Sequence, residues 1–193
     1  MSECQLDPEI LARMSQHASI VGYRNQRPVH GHRLFMACGA RLVGNVTCGD
    51  QVSIWFNAVV RGDVNSITIG DQTNIQDNAV IHGTYERYST TIGSQVSIGH
   101  GATVHGAVIK DRVLVGMQAV IMDGASIGQG SVIGAGAVIR QGHDIPPYSL
   151  VVGAPATVKR ALTVAESDAY TAAYLRYLFY VSGFDYPDTR TSN

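Results

Sequence analysis

Three of the seven histidines in this chain, His82, His100 and His105, lie close together in sequence, and imidazole is the commonest protein ligand for metals. Three imidazoles converging on one ion leave a fourth position open. Zinc held that way binds water there and lowers its pKa toward neutrality, which makes a hydroxide nucleophile at ordinary pH. Imidazole also suits iron and cobalt, so the donor set points to zinc without excluding either. Whether the three rings can meet depends on the backbone that carries them.

That backbone is written in a six-residue beat. From Leu42 it runs through Cys48, Ile54, Val60, Ile69, Ile75, Ile81, Ile92, Ile98, Val104, Ile109, Val115, Ile121, Ile127, Ile133 and Ile139 to Ile145. Only Cys48 is not Ile, Val or Leu, and only three steps depart from six: Val60 to Ile69, Ile81 to Ile92, and Val104 to Ile109. Four residues after a beat sits a mostly small side chain, as at Ala58, Ala79, Ala102, Ala119, Ala125, Ser131 and Ala137. Glycine often follows the beat directly, as at Gly70, Gly93, Gly99, Gly116, Gly128 and Gly134. Neither a heptad nor a two-residue alternation fits. The pattern predicts an all-β parallel β-helix of hexapeptide repeats, three hexads to a coil and coils stacked into a prism. Aliphatic residues fill the axis, small ones sit at tight corners, and the glycines are expected to supply positive φ.

Every third beat returns to the same wall, one coil rising by ~4.8 Å. Wall one then carries Leu42, Val60, Ile81, Val104, Ile121 and Ile139, and the residue just after the beat is Arg61, then His82, then His105. Wall three carries Ile54, Ile75, Ile98, Val115 and Ile133, and two residues after the beat come Asp77, then His100. His82 and His105 of one chain can grip an ion together, while its His100 points elsewhere. If prisms pack about a three-fold axis, wall one of one subunit can face the wall-three edge of its neighbour, whose His100 completes the set. A cyclic homotrimer repeats one heterologous interface and closes, giving three equal sites. His17, His30, His32 and His143 have no partner in this register and are expected to be polar surface or turn residues.

The chain has 193 residues, enough for a sizeable core, and no low-complexity stretch divides it. Fourteen basic residues against fifteen acidic ones argue against nucleic acid or an anionic membrane as the main partner. Cys4, Cys38 and Cys48 are too few for a disulfide framework and form no CxxC, so free thiols in a reducing compartment are expected. The start MSECQLDPEI shows no basic-then-apolar leader and no run is long enough to span a bilayer, so a cytoplasmic protein is expected.

Residues 1–30 lack the beat and are read as a lead-in, residues 31–153 as the prism, and residues 154–193 as a connector and C-terminal α-helix. The run Ile145-Pro146-Pro147-Tyr148 is predicted to end the coils, because consecutive prolines cannot donate to a ladder. The segment from Val164 to Val181, stopped at Ser182-Gly183, predicts a helix whose Tyr170, Tyr174, Tyr177 and Phe179 form a stripe packed on the prism.

Two stretches carry more specific motifs: SIWFNAVVRGDVNSITIGDQTNIQDNAVIHG and TIGSQVSIGHGATVHGAVIKDRVLVGMQAVIMDGASIG. Their RGD, NIQD, following His and GHxxxxHG elements resemble the γ-class carbonic anhydrase family, its shorter bacterial members most of all. The resemblance implies a trimer of left-handed β-helices with a C-terminal helix and zinc or iron at subunit interfaces. It implies His82 and His105 as ligands from one subunit and His100 from the next, in agreement with the wall count. It also implies an interfacial Arg61–Asp63 ion pair, Arg61 lying near bicarbonate. Gln76, paired with Asp77, would orient water or substrate, and Asn74 would help form a carbon dioxide pocket. Asn and Asp are also ordinary turn residues, so turn capping stays open for Asn74 and Asp77. A family tyrosine reaching the site matches Tyr177, with Tyr174 equally able to reach.

The chain departs from the fully active branch of that family at two places. That branch carries a glutamate after the RxD aspartate and a longer acidic loop; here Val64 and the loop GTYERYST, with Glu86 alone, take their places. Proton export is therefore expected to limit rate. The reading is a metal-dependent carbonic anhydrase-like enzyme acting on carbon dioxide and bicarbonate. Two rivals stand beside it. One is an acyl-CoA-dependent acyltransferase or thioesterase using one histidine as general base; the other is a trimeric scaffold with a structural metal.

Overall fold

The aliphatic beat residues line the axis of a three-walled parallel β-solenoid in a computed structural model that describes residues 18–184. His17 and Cys4 lie outside the described residues. Wall one stacks Ile20, Leu42, Val60, Ile81, Val104, Ile121 and Ile139. Wall two stacks His30, Cys48, Ile69, Ile92, Ile109, Ile127 and Ile145. Wall three stacks Met36, Ile54, Ile75, Ile98, Val115, Ile133 and Val151. The register counted from sequence is the register of the ladders. From Leu42 onward the beat residues are buried, each large one contributing ~1.5–3 kcal/mol of apolar transfer.

The ladders reach further toward the N-terminus than the audible beat. Ser19–Val21 and Val29–His30 already pair with Arg41–Cys48, one coil before residue 31. The beat is masked there because Ile20 is half-buried and His30 is exposed; on that coil Met36, on wall three, is the beat position buried in the core.

The corners differ from the sequence expectation in an instructive way. The residue with positive φ lies three after the beat, at Gln51, Asn57, Gln72, Asn78, Gln95, Gly101, Arg112, Gln118, Gly124, Gly130, Gly136, Gly142 and Tyr148. The next residue donates back across the corner, as Ala58 N–H does to Trp55 O and Ala102 N–H to Gly99 O, both 3.1 Å. These are type II turns, whose third residue needs positive φ. The glycines directly after the beat serve another purpose. A Cβ at Gly99 would stand 2.7 Å from Met117 N, and one at Gly70 would stand 2.6 Å from Gly93 C, both on the next coil. Close stacking of coils selects them.

Pro146 and Pro147 do not end the coils. Ser149–Gly153 adds to wall three beside Val132–Ile133 and then reverses into antiparallel Ala156–Ala161. Pro147 takes the turn position proline favours, with Tyr148 at positive φ after it. Pro146 lies on the last rung of wall two, where no further coil asks for its missing N–H.

The helix expected after Val164 comes in two pieces, α1 Val164–Thr171 and α2 Ala173–Ser182. At the break, the Thr171 hydroxyl bonds back to Ser167 O at 2.9 Å, a contact that bends helices, while Ser167 Oγ donates to Gly130 O at 2.7 Å. Only part of the expected aromatic stripe packs inward. Tyr177 joins Phe35, Trp55 and Phe184 in a cluster against wall three, whereas Tyr170 and Phe179 are exposed.

All three irregular steps of the beat fall at one corner, between walls one and two. There the chain runs straight through Val59–Ile69, and after His82 it bulges out as the loop 83–89. This corner builds one half of the site described next.

Candidate metal centre

His82 and His105 stand side by side on wall one, paired in register on adjacent strands. His82 Nδ1 lies 3.1 Å from His105 Nε2. The outer nitrogen of each ring faces a carboxylate: His82 Nε2 is 2.9 Å from Asp63 Oδ1, and His105 Nδ1 is 2.7 Å from Asp123 Oδ1. A carboxylate only accepts, so each of those nitrogens carries its ring's proton. With one proton on each ring, the two nitrogens facing each other 3.1 Å apart would both be acceptors. A shared cation would satisfy both. Two imidazole nitrogens on one tetrahedral zinc, each at ~2.0–2.1 Å, would lie about 3.3 Å apart, close to what the rings already show. Carboxylates behind the rings are also the usual outer partners of metal-ligating histidines.

Asp63 is held from the other side by Arg61, whose Nη1 donates to Asp63 Oδ2 at 2.6 Å. Burial pushes the Asp63 carboxyl up, but the His82 and Arg61 hydrogen bonds and the Arg61 charge together bring it below its ordinary value. It is a committed acceptor. Arg61 itself is 43% exposed, so much of its guanidinium remains open to an anion.

His100 belongs to the second group, on wall three. Its Nδ1 lies 2.7 Å from Asp77 Oδ2, and Asp77 Oδ1 accepts from Phe56 N–H at 3.1 Å. The His100 side chain is 44% exposed, and its Nε2 faces the Tyr177 hydroxyl at 3.5 Å. Tyr177 is carried there by α2 and fixed edge-on against Trp55, ring centroids 5.1 Å apart. Burial foremost, then the Asp77 charge, pushes the Tyr177 phenol up to about 12, which keeps it a hydrogen-bond donor. Of the two tyrosines weighed from sequence, Tyr177 is the one at His100. Gln76 and Asn74 lie on the same wall and are buried; Gln76 Nε2 donates to Asn74 Oδ1 at 3.0 Å, and Asn74 Nδ2 to Ser97 Oγ at 2.8 Å.

The predicted residues thus form two groups: Arg61, Asp63, His82 and His105 on wall one; Asn74, Gln76, Asp77, His100 and Tyr177 on wall three. Among the described residues of one chain, no three His, Cys, Asp or Glu side chains converge as a metal site. His30 Nδ1 meets the neighbouring Gly31 O, the His32 backbone N–H donates to Asp50 Oδ1 on the next coil, and His143 sits in a turn. Val64 and Glu86 bring no second carboxylate to the imidazoles. The exposed Glu86 instead hydrogen-bonds the Tyr85 phenol, raising its pKa. Sequence reading missed Asp123, which the wall count could have found: it lies two after Ile121, one coil above Val104 and His105.

Residues 106–141 match the family described as bacterial transferase hexapeptide (six repeats). A solved Bacillus cereus structure described as an acetyltransferase is 37% identical, with a TM-score of 0.80 over 86% of this chain and 98% of that one. A Methanocaldococcus jannaschii protein named probable carbonic anhydrase is 52% identical over 143 residues, which is 74% of this chain and 89% of that protein. Mitochondrial gamma carbonic anhydrase 1 of Arabidopsis thaliana is 36% identical over 159 residues, 80% of this chain and 58% of that longer protein. With these likenesses joined to the RGD, NIQD and GHxxxxHG residues on one hexapeptide solenoid, the chain belongs to the γ-class carbonic anhydrase family.

Proposed function

We propose that this chain is a metal-dependent carbonic anhydrase-like enzyme that interconverts carbon dioxide plus water with bicarbonate plus a proton. The observation that carries the reading is the set of three imidazoles, each with one ring nitrogen against a carboxylate, which leaves His82 Nδ1, His105 Nε2 and His100 Nε2 as the nitrogens turned away from it. His82 and His105 of one subunit and His100 of its neighbour in a homotrimer would hold zinc, or iron or cobalt. When bound, such an ion acidifies water toward neutrality and so supplies the nucleophile. The residues around it do the rest. Gln76 spends its amide N–H on Asn74 and keeps its carbonyl oxygen as an acceptor that can orient water. Tyr177 offers a phenolic proton beside His100. The open part of Arg61 gives the anionic product a charged partner at the interface.

Stopped-flow hydration of carbon dioxide by the metal-loaded protein tests this reading. At low buffer the rate should be set by proton export, because Val64 accepts no proton. Adding an imidazole buffer should then raise turnover several-fold as an external base, within the ~10²–10⁴-fold reach of general base catalysis. A metal-replete protein that hydrates no carbon dioxide at any buffer concentration, with zinc or with anaerobically loaded iron, would sink it.

The Bacillus cereus likeness favours a second reading, acyl transfer or hydrolysis on an acyl-CoA with one histidine as general base. Metal-stripped protein would keep that activity. Val64 in place of a carboxylate, together with the short loop after His82, favours a third, a trimer whose metal is structural. It predicts full metal occupancy and no turnover with either substrate class.

A further inference from the structure

The loop that follows His82 carries one carboxylate, Glu86, yet both its ends tie into the strands and the carboxylate that hold the imidazoles. At its far end, Thr90 Oγ1 donates to the His82 carbonyl oxygen and accepts from Gly106 N–H at 3.0 Å. At its near end, Thr84 Oγ1 donates to Asp123 Oδ2 at 2.9 Å, while Asp123 Oδ1 faces His105 Nδ1 at 2.7 Å. Asp123 has both oxygens spoken for, one by the loop and one by the ring. Asn65 Nδ2 in turn donates to Thr84 O at 3.1 Å, fixing the loop from below.

The backbone is shaped around this carboxylate. Gly106 follows His105 at φ +57, and a Cβ there would land on Asp123 Oδ1. Tyr88 lies over the same place: a Cβ at Gly106 would be 2.7 Å from Tyr88 Cβ, and one at Gly124 3.0 Å from Tyr88 Cε1. Two glycines flank the pair and an aromatic ring covers it.

We infer that Asp123, braced by Thr84, is a positioning residue for His105: it holds the ring proton on Nδ1 and so keeps the Nε2 lone pair aimed at the ion. The short loop acts as a clamp on the wall-one ligands. This rests on reading the site as a metal centre. It adds a residue from the coil above the ligands, which none of the sequence motifs contains.

The experiment uses the full chain and compares Asp123→Ala, Asp123→Asn and Thr84→Val with wild type. Long-range proton–nitrogen NMR reads the His105 tautomer in metal-free protein, and competition with a chelator reads zinc affinity. Asp123→Ala should lose the fixed Nδ1–H tautomer and bind zinc ~10–100-fold more weakly, the usual cost of losing such an outer partner. Asp123→Asn, which retains an accepting oxygen, should recover part of both, and Thr84→Val should weaken zinc by a smaller factor. Should the alanine variant fail to fold, the asparagine and Thr84→Val variants carry the comparison. Zinc loss with the His105 tautomer unchanged overturns the inference, because Asp123 would then act only through packing. So does a wild type that loses zinc on His105→Ala while these Asp123 variants bind it normally. A wild type that takes up neither zinc, nor cobalt, nor anaerobically supplied iron overturns the metal reading, and this inference with it.

Discussion

An imidazole ligates through a nitrogen that has given up its proton, and in this chain neighbouring carboxylates decide which nitrogen that is. Asp63, Asp77 and Asp123 each engage one ring nitrogen of His82, His100 and His105, so three otherwise ambiguous side chains present one defined lone pair each. Cys48 shows the opposite use of a potential ligand: it occupies a beat position, and burial pushes its thiol up to about 12, leaving it an inert core residue. The contrast gives a direct expectation for metal content measured by elemental analysis. His82→Ala, His100→Ala and His105→Ala should each lower occupancy by more than about tenfold, since each removes a ligand rather than an outer partner. His32→Ala and His143→Ala should leave it near wild type. Loss of metal from His143→Ala as complete as from His105→Ala would show that the wall assignment is wrong.

The hexad turn separates two kinds of glycine that look alike in sequence. Gly142 adopts φ +67 with nothing near its missing Cβ, so Gly142→Ala should cost only the left-handed backbone penalty of ~1–2 kcal/mol. A Cβ at Gly99 would stand 2.7 and 2.8 Å from Met117 N and Gly116 C of the next coil. Gly99→Ala must push two ladders apart and should reach or exceed the ~1–3 kcal/mol of an overpacked core. Denaturant unfolding should rank Gly99→Ala as the more damaging. The start of α1 offers a pH-dependent counterpart. The Arg160 hydrogen bond first, then the Thr163 N–H, lower the Glu166 carboxyl to about 2 from 4.5. A folded-state value below the unfolded one stabilises above pH 4.5 and is lost as pH falls through about 2. The deficit of Glu166→Gln in helix protection, read by hydrogen exchange at Ser167 and Asp168, should therefore shrink over that window. A deficit independent of pH would mean that the charge contributes nothing to the cap.

One prism holds the three histidines on two walls, so under the proposed metal centre a complete set needs a second copy of the chain. Under the proposed homotrimer, His82→Ala and His100→Ala chains are each deficient alone, yet mixed trimers should regain some intact sites because the two lesions can fall at different interfaces. Recovery of metal on co-assembly, measured after exchange of subunits has been verified by mass, is the expected result. Exchanged mixtures that stay metal-free would argue that each site is built within a single chain.

Burial from Leu42 to Ile145 was legible from sequence because the core of a β-solenoid is one-dimensional. Each hexad must send one aliphatic residue to the axis, and the period alone then stacks His82 on His105 and His100 above Asp77. Composition and motif could not reveal why glycine follows the beat, since close approach of a neighbouring coil and positive φ select the same residue for different reasons. The first coil was silent because two of its three beat positions, Ile20 and His30, are not buried, and the two prolines misled because only the stacking order shows that no rung follows Pro146. Thr84 stayed hidden for a related reason. It lies on the loop where the hexad breaks, and there sequence separation no longer reports its distance from Asp123. The period determined which wall each ligand stands on; the ring nitrogen each ligand offers was decided only by the carboxylates that folding brings behind it.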